Sequence, residues 1–396
     1  MAKPTVAVLV SSFERPAHLR RVLASIAEQR GVQGGLEVVV TDDGSRDETP
    51  RLVRQFAASV SFPVKWTTHP HDGFQLARCR NAGVRASDAD YLVFLDGDCI
   101  IPPDHLRIHL DRRRDNTVQA GYFARLDQRT SEQITVEEIR RGNFARWCTW
   151  GERWQLLRRH LKSAFYSLTK DKARPKLFGN NIGIARADYE RVNGYDENFR
   201  GWGCEDDDLR LRLRAAGVQI ESILRWTHVY HLWHPKAPSA PAIWREGANV
   251  AYLERPVRLT RCLAGLEQRR LQDLNVQLVG RRPPREVLDE SLPLWCRVAL
   301  AARRDSTPQP EIELAFAPSN ESFSAGSNCR VLVVPKGQTP RQELIRQSHL
   351  VFSSGPVGGA PPAKLLALES LDAILQRHLG LPRPAEPIAR RLTRVA

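Results

Sequence analysis

Four consecutive carboxylates, Glu205, Asp206, Asp207 and Asp208, directly follow the loop Gly201-Trp202-Gly203-Cys204. Leu209, Leu213 and Ala216 recur beyond them at helical spacing and Gly217 is a natural stop, so the acids fall in the first turn of a helix. The positive end of the helix dipole is expected to keep them ionised there. Capping alone would explain an isolated acidic pair. Four neighbouring like charges repel one another, and the excess points to substrate hydroxyls, a metal or a general base.

A second group of polar residues interrupts apolar runs earlier in the chain. Residues 5–10 read as a buried strand ending in Ser11-Ser12, and residues 36–40 as another ending in Asp42-Asp43-Gly44-Ser45. Residues 91–95 are a third, ending in Asp96-Gly97-Asp98. Helices fill the intervals: Leu19, Val22, Leu23 and Ile26 share one face, a second helix carries Leu52, Val53 and Phe56, and a third spans about 75–85 after a short strand at 64–67. Alternating strands and helices imply a parallel α/β sheet. Such sheets bind ligands beyond the carboxyl ends of their strands, where these polar residues fall. No G-x-G-x-x-G follows the first strand and no G-x-x-x-x-G-K-[ST] occurs, so phosphate must be held in some other way. Asp96-Gly97-Asp98 offers one, because paired carboxylates can ligate a hard cation that bridges diphosphate oxygens.

Residues 102–121 read as a helix and a strand, and residues 125–176 are rich in Arg, Lys and Trp with weak periodicity. Trp147, Trp150 and Trp154 are expected to pack onto the core from amphipathic helices, with stacking on sugars or nucleobases as the alternative. Residues 178–185 read as a loop and strand, 187–192 as a short helix and 218–224 as a strand. His228, His231 and His234 follow.

The chain has 396 residues and a net charge of +14, enough for two or three units and a preference for anionic partners. Seven cysteines without C-x-x-C spacing read as reduced thiols of a cytoplasmic protein. Neither a signal peptide nor a membrane-spanning run is expected.

Asp42-Asp43-Gly44-Ser45, Ala77-Arg78-Cys79-Arg80-Asn81-Ala82-Gly83, Asp96-Gly97-Asp98, and Phe178-Gly179-Asn180 running to the acidic segment together resemble the GT-A glycosyltransferases. The first half is similar to family 2, and the acidic segment resembles the C-terminal motif of the β-1,4-galactosyltransferase type. The resemblance covers roughly residues 4 to 250. It implies a GT-A fold, an α/β architecture with a mostly parallel Rossmann-like sheet, and metal-dependent, inverting transfer of a hexosyl or N-acetylhexosaminyl group. The donor would be a nucleotide sugar, UDP-linked, and the acceptor a hydroxyl of a glycan or lipid-linked glycan in bacterial surface polysaccharide or lipopolysaccharide synthesis.

Carried over residue by residue, the resemblance places Ser11, Ser12 and Glu14 of the first turn, with Asp42 and Asp43, around the nucleoside. Arg80 would face the donor. Asp98 would bind Mn²⁺ or Mg²⁺, and Asp96 and Gly97 would lie against the ribose or the metal's water. His231 or His234, with His228 ranked third, would complete the metal site. Asp206 would be the catalytic base, Glu205 and Asp207 would hold acceptor hydroxyls, and Trp202 would stack on the acceptor ring. The opening turn departs from the family pattern by reading Ser-Ser-Phe-Glu-Arg, and Cys204 stands where glycine is usual.

The transferase domain is expected to span 1–254, and 255–396 to form a smaller, basic accessory α/β region. In it, residues 255–282 read as helical, 311–316 and 330–334 as strands and 364–378 as an amphipathic helix. Its basic helices and the tail at 390–394 are candidates for contact with anionic membrane. Two rival classes are weaker. A nucleotidyltransferase acting on a sugar phosphate would carry a glycine-rich basic loop after the first strand. A non-catalytic anion or nucleic-acid binder would not place four acids in a row where a polyanion would be repelled.

Overall fold

The computed structural model describes residues 4–169, 174–237, 239–302, 309–324 and 326–380. The chain divides between Glu254 and Arg255 into two compact units.

In the first unit, strands β1 (Val6–Ser12), β2 (Leu36–Asp42), β3 (Val64–Thr68) and β4 (Tyr91–Asp96) alternate with helices α1 (Pro16–Ala27), α2 (Thr49–Ser59) and α3 (Leu76–Ala86). There follow β5 (Cys99–Ile100), α4 (His105–Asp111), β6 (Thr117–Ala120), β7 (Phe123–Arg125), α5 (Gln128–Gln133), α6 (Val136–Arg140) and α7 (Trp150–Leu168). The unit closes with β8 (Ile182–Ala185), α8 (Arg186–Arg191), α9 (Glu205–Ala215), β9 (Gln219–Ser222), β10 (Val229–His231) and α10 (Val250–Leu253). The large sheet has the order β3-β2-β1-β4-β8-β6-β9. Only β8 runs against its neighbours β4 and β6.

Continuous apolar runs make these strands because both faces of the sheet are covered. All seven residues of β1 and of β2 are buried. Leu19, Val22, Leu23 and Ile26 of α1 sit in the same core as Val8, Val38 and Val93. Full burial of such side chains stabilises by about 1.5–3 kcal/mol each, which fixes the helix against the sheet. Register then decides where the polar ends lie. Ser11 is level with Thr41 and with Asp96, and Ser12 with Asp42, so three strands release their polar ends along one edge.

A small second sheet, β5-β10-β7, lies beyond that edge. Antiparallel pairing sets His231 opposite Cys99, and the Leu232 amide donates to the Asp98 carbonyl at 2.8 Å. Residues more than a hundred positions apart are thereby brought together.

Two tryptophans depart from the expected packing. Trp147 packs against the core, but Trp150 and Trp154 are 83% and 53% exposed on α7, because only Leu156 of that helix turn is buried. The apolar stripe of α7 faces outward.

The second unit carries a parallel sheet in chain order, β11 (Val276–Val279), β12 (Ile312–Phe316), β13 (Cys329–Val334), β14 (Leu350–Ser353) and β15 (Leu365–Ala367), with α11 (Arg285–Ser291), α12 (Leu294–Ala301), α13 (Gln342–Gln347) and α14 (Leu371–Leu379). Residues 255–282 are not helical as expected. They contain a single 3₁₀ turn, Leu271–Asp273, before β11. Pro256 and Gly265 interrupt them, and Val257 and Leu259 are buried at a spacing of two, the period of extended chain. The helix expected over 364–378 begins only at Leu371, because Leu365 and Leu366 pair with Val351 and Phe352 as the sheet's last strand. The tail at 390–394 lies outside the described residues. All seven cysteines are free and buried.

One ion pair anchors the acidic helix to this scaffold. Arg212 and Asp208, both fully buried, meet at 2.6 Å one helical turn apart. The same guanidinium donates to the carbonyls of Val192 and Gly194 at 2.8 Å. Arg212→Met should cost about 3–5 kcal/mol, because it leaves the Asp208 charge buried without its partner. Denaturant unfolding of the purified variant checks this, and a loss under 1 kcal/mol would show that the pair does not hold the helix.

Candidate active site

The site forms where the strand ends of the first unit meet the start of α9. Asp96, the last residue of β4, offers Oδ1 to Nη2 of Arg80 at 3.2 Å. Arg80 rises from α3, is 2% exposed, and donates through Nη1 to Asp206 at 3.0 Å and to Glu205 at 3.4 Å. A single buried cation thus joins three carboxylates from two elements. Burial opposes its charge, but Tyr195 and the carboxylates of Asp206, Asp96 and Glu205 outweigh it and hold Arg80 above its ordinary pKa. Arg80, which the resemblance sets toward the donor, thus joins the acidic start of α9 to the first acid of the D-x-D.

Gly179 makes that position possible. A Cβ there would stand 2.0 Å from Nη2 of Arg80, so only glycine lets the guanidinium pass. Its N–H then donates to Oδ2 of Asp206 at 2.8 Å, while the Tyr195 hydroxyl donates to Oδ1 at 2.8 Å. Three donors from three segments fix one carboxylate whose second oxygen keeps a lone pair for another partner.

The other acids differ in environment. Burial first, then the adjacent Asp206 charge, push Glu205 up to about 8 against the pull of Arg80. Glu205 is therefore largely protonated at neutral pH. Asp207 faces outward between Arg210, whose Nε donates at 3.2 Å, and Lys176 at 3.4 Å. Trp202, on the preceding loop, is 43% exposed. Cys204 caps α9 with φ +77°, a left-handed conformation that favours glycine. The loop thus keeps the path that glycine would take, and the thiol packs inward with Phe199 and Val250.

Asp98 gathers a second group. Nε2 of His234 lies 3.1 Å from its Oδ2, and Nε2 of His231 lies 3.6 Å from its Oδ1. Their ligand atoms all fall within 4.8 Å of one another. Burial alone would raise the Asp98 pKa, but the hydrogen bond from His234 and the charges of His231, His234 and Arg15 hold it well below the usual range. One carboxylate with two imidazoles fits a divalent cation. Nη1 of Arg15 also reaches Oδ2, at 3.1 Å, so an ion there must share or displace this cation. His228 is apart from the group. It is half-buried against Tyr230, and desolvation lowers its pKa to about 4.

The remaining sequence candidates lie at the ends of β1, β2 and β4. Gly97 turns close under β1, its N–H donating to the Ser11 carbonyl at 2.7 Å, and a Cβ would meet that oxygen at 2.8 Å. Ser12 Oγ and Asp43 Oδ1 are buried without a hydrogen-bond partner. Asp42 is engaged in its own turn, accepting from Ser45 and Thr68, so its carboxylate faces the fold. Glu14 is exposed at φ +43°, its N–H on Ser45 Oγ. Tyr195, Gly179, Arg15 and Lys176 escaped the sequence reading. Phe178-Gly179-Asn180 did mark a motif, but spacing does not show that the glycine amide meets Asp206.

The Glu205 shift has a sign. Between its unfolded value of 4.5 and its folded value of about 8, the folded chain holds a proton that the unfolded chain releases, so stability falls as pH rises through that window. Glu205→Gln carries no such proton. The variant should melt several degrees above the unsubstituted protein at pH 8, with the gap closing toward pH 4.5. Thermal melts across that range test it, and a variant melting lower at pH 8 would show Glu205 to be ionised and paired.

Residues 7–172 match the family model described as glycosyl transferase family 2, and residues 159–235 match one described as the N-terminal domain of galactosyltransferase. A validoxylamine A glucosyltransferase of Streptomyces hygroscopicus subsp. limoneus is 31% identical over 234 residues, 55% of this chain and 49% of its own. A chondroitin synthase of Escherichia coli is 24% identical over 231 residues, 55% of this chain and 33% of its own. The chain thus spans half or less of the length of these relatives. Among solved structures, a mannosyltransferase of Pyrobaculum calidifontis in complex with GDP-Man and Mn²⁺ is 18% identical with a TM-score of 0.42, covering 60% of this chain and 59% of that one. The two family models follow one another along a single unit, and through that unit the chain is similar to the family 2 glycosyltransferases, continued by a segment similar to the galactosyltransferase type.

Proposed function

We propose that the first unit transfers a sugar, with inversion, from a UDP-linked donor to a hydroxyl of a glycan acceptor. The observation that carries this reading is Asp206, held by Arg80, Tyr195 and Gly179 at the helix start that follows the exposed Trp202 loop, with the Asp98 cluster as a separate charged centre. As the acceptor oxygen attacks the anomeric carbon, its proton passes to Asp206, the new C–O bond forms, and the bond to the leaving nucleoside diphosphate breaks on the opposite face. Glu205, protonated, is a donor to an acceptor oxygen, and Asp207 an acceptor from a second hydroxyl. Ser12 and Asp43, with buried oxygens open to a partner, suit the polar edge of a base or ribose. Mn²⁺ or Mg²⁺ on Asp98, His231 and His234 would supply positive charge for the departing diphosphate. GDP-linked sugars are the second reading of the donor, and a lipid-linked or surface polysaccharide is the proposed acceptor class.

Contact with an anionic membrane is better supported on α7 than on the second unit. Trp150, Trp154, Leu157, Leu161 and Phe165 form one exposed stripe along it. Arg158 and Lys162 are exposed beside the stripe, and Glu152 is the only acid in the helix. A basic helix with an aromatic and aliphatic face seats in the headgroup boundary of anionic bilayers. No described helix is long and apolar enough to cross a membrane.

Two measurements test these readings. Asp206→Asn should lower turnover on the order of 10²- to 10⁴-fold, since the amide cannot take the proton, while nucleotide affinity stays near that of the unsubstituted protein. The amide can keep the Arg80 and Tyr195 bonds only by turning its NH₂ toward the Gly179 N–H, so ~1–3 kcal/mol of stability should go too. Excess chelator or Asp98→Ala should abolish transfer in the same assay. Turnover within a few-fold in Asp206→Asn would move the base elsewhere. For the membrane contact, the protein should sediment with phosphatidylglycerol vesicles and not with phosphatidylcholine vesicles. Leu161→Glu should release it, and equal binding to both lipids would remove the electrostatic part.

A further inference from the structure

Asn81 follows Arg80 on α3, and the two side chains reach one carboxylate by different routes. Consecutive helical residues point about 100° apart around the axis, so they leave α3 in different directions. Arg80 goes directly, donating from Nη1 to Oδ1 of Asp206 at 3.0 Å. Asn81 goes through Tyr195. Its Oδ1 accepts from the Tyr195 N–H at 3.0 Å and its Nδ2 donates to the Tyr195 carbonyl at 2.9 Å, so one carboxamide clamps both backbone groups of one residue. The Tyr189 hydroxyl, at 2.6 Å, and Glu197, at 3.0 Å, take its remaining acceptor and donor sites. Asn81 is fully buried with its hydrogen-bonding capacity filled. A satisfied network of this kind adds little net stability, since each bond replaces one made to water, but it fixes orientation.

The clamp sets the course of the Tyr195 ring. Phe94 meets the ring edge-on at a centroid distance of 5.8 Å, and the Arg80 guanidinium lies 5.0 Å from its centroid. The hydroxyl then ends on Oδ1 of Asp206 at 2.8 Å, on the same oxygen that Arg80 holds. A carboxylate oxygen has two lone pairs. Both are engaged on Oδ1, whereas Oδ2 accepts only from the Gly179 N–H, at 2.8 Å.

We infer that Tyr195, held by Asn81, decides which oxygen of Asp206 takes the acceptor's proton. The hydroxyl fills the second lone pair of Oδ1 and leaves Oδ2 as the accepting atom. This rests on the reading of Asp206 as the base. The acceptor oxygen forms its bond to the anomeric carbon, its proton passes to Oδ2, and the bond to the nucleoside diphosphate breaks. Tyr195 and Asn81 act through Asp206 and are positioning residues. Without the hydroxyl, Oδ1 regains a lone pair beside Arg80, and the carboxylate is held by two donors in place of three.

Tyr195→Phe removes the hydroxyl and keeps the ring. Full-length protein with Mn²⁺ is given UDP-glucose, UDP-galactose and UDP-N-acetylglucosamine, and UDP release is followed with the sugar it consumes. In Tyr195→Phe kcat should fall on the order of 10-fold or more, as for a misaligned reacting group, while KM for the UDP-sugar and the affinity for UDP stay near those of the unsubstituted protein. Asn81→Ala should show a similar loss, and the double variant little more, because both act through one hydroxyl. Circular dichroism establishes that each variant is folded, and should Asn81→Ala fail to fold, Tyr195→Phe carries the test. The Asp206→Asn background separates positioning from mere structure: there, neither substitution should lower the residual turnover further. A loss by the same factor in both backgrounds overturns the inference, as does unchanged kcat in Tyr195→Phe. If Asp206→Asn itself keeps full turnover, the base assignment falls and this inference with it, whereas a slow Asp206→Asn beside an unaffected Tyr195→Phe removes this inference alone.

Discussion

The buried guanidinium of Arg80 is the interaction on which the rest of the first unit depends. Asp96 ends a strand and Glu205 with Asp206 begin a helix more than a hundred residues later, and nothing in either element alone would tolerate three carboxylates at such close range. Arg80 joins them at 3.0–3.4 Å while 2% exposed. An ion of this kind contributes little net stability, because the desolvation cost consumes most of the attraction. Its value is positional. Remove the cation and the carboxylates of Asp96 and Asp206 lose the partner they share, so nothing draws the start of α9 to the strand ends.

The scaffold around Arg80 is shaped to admit it. Gly179 gives up its side chain to let the guanidinium pass, and Tyr195 and Asn81 tie the neighbouring turn, Asn81 donating to the Tyr195 carbonyl at 2.9 Å. Along the same edge the parallel register of β1, β2 and β4 sets the distance between the nucleoside-side residues and Asp96. The histidines depend on a separate device, the three-stranded sheet whose pairing of His231 with Cys99 carries them to Asp98. Two independent sheets therefore meet at Asp96-Gly97-Asp98, and the glycine between the acids is the only residue that fits beneath β1.

Much of this was legible in the chain itself. The strands β1, β2 and β4 declare themselves by uninterrupted apolar runs, and the polar residues at their ends mark the ligand edge. Asp98 with His231 and His234 could be proposed because a D-x-D and clustered histidines have a shared chemistry. The partners of Asp206 could not, since a backbone N–H and a tyrosine hydroxyl leave no spacing signal. In the second unit, leucines at helical spacing misled because Leu365 and Leu366 had a strand edge waiting for them. Periodicity reports a face, and tertiary contacts decide which element presents it. The tryptophans of α7 misled for a related reason: an amphipathic pattern shows that a stripe exists, not that the protein covers it.

The acidic run at the start of α9 illustrates how identical residue types acquire different properties from position alone. All four lie in the first turn, where the helix dipole favours negative charge. Asp208 points into the core and is neutralised by Arg212 one turn on, so it belongs to the scaffold. Glu205 points toward Arg80 but shares it with two nearer carboxylates, and burial keeps it largely protonated. Asp207 lies between the buried guanidinium of Arg210 and the exposed ammonium of Lys176. Only Asp206 combines partial exposure with three fixed donors, which hold its orientation without closing off the oxygen that faces outward. Neutralising Glu205 limits the repulsion that four adjacent anions would otherwise exert, and the negative charge nearest Arg80 is concentrated on Asp206 and Asp96. A run of acids that reads in the sequence as one feature is thus divided by the fold into an anchor, a neutral neighbour, a rim contact and an oriented carboxylate. That division follows from which side of a single helical turn each residue occupies.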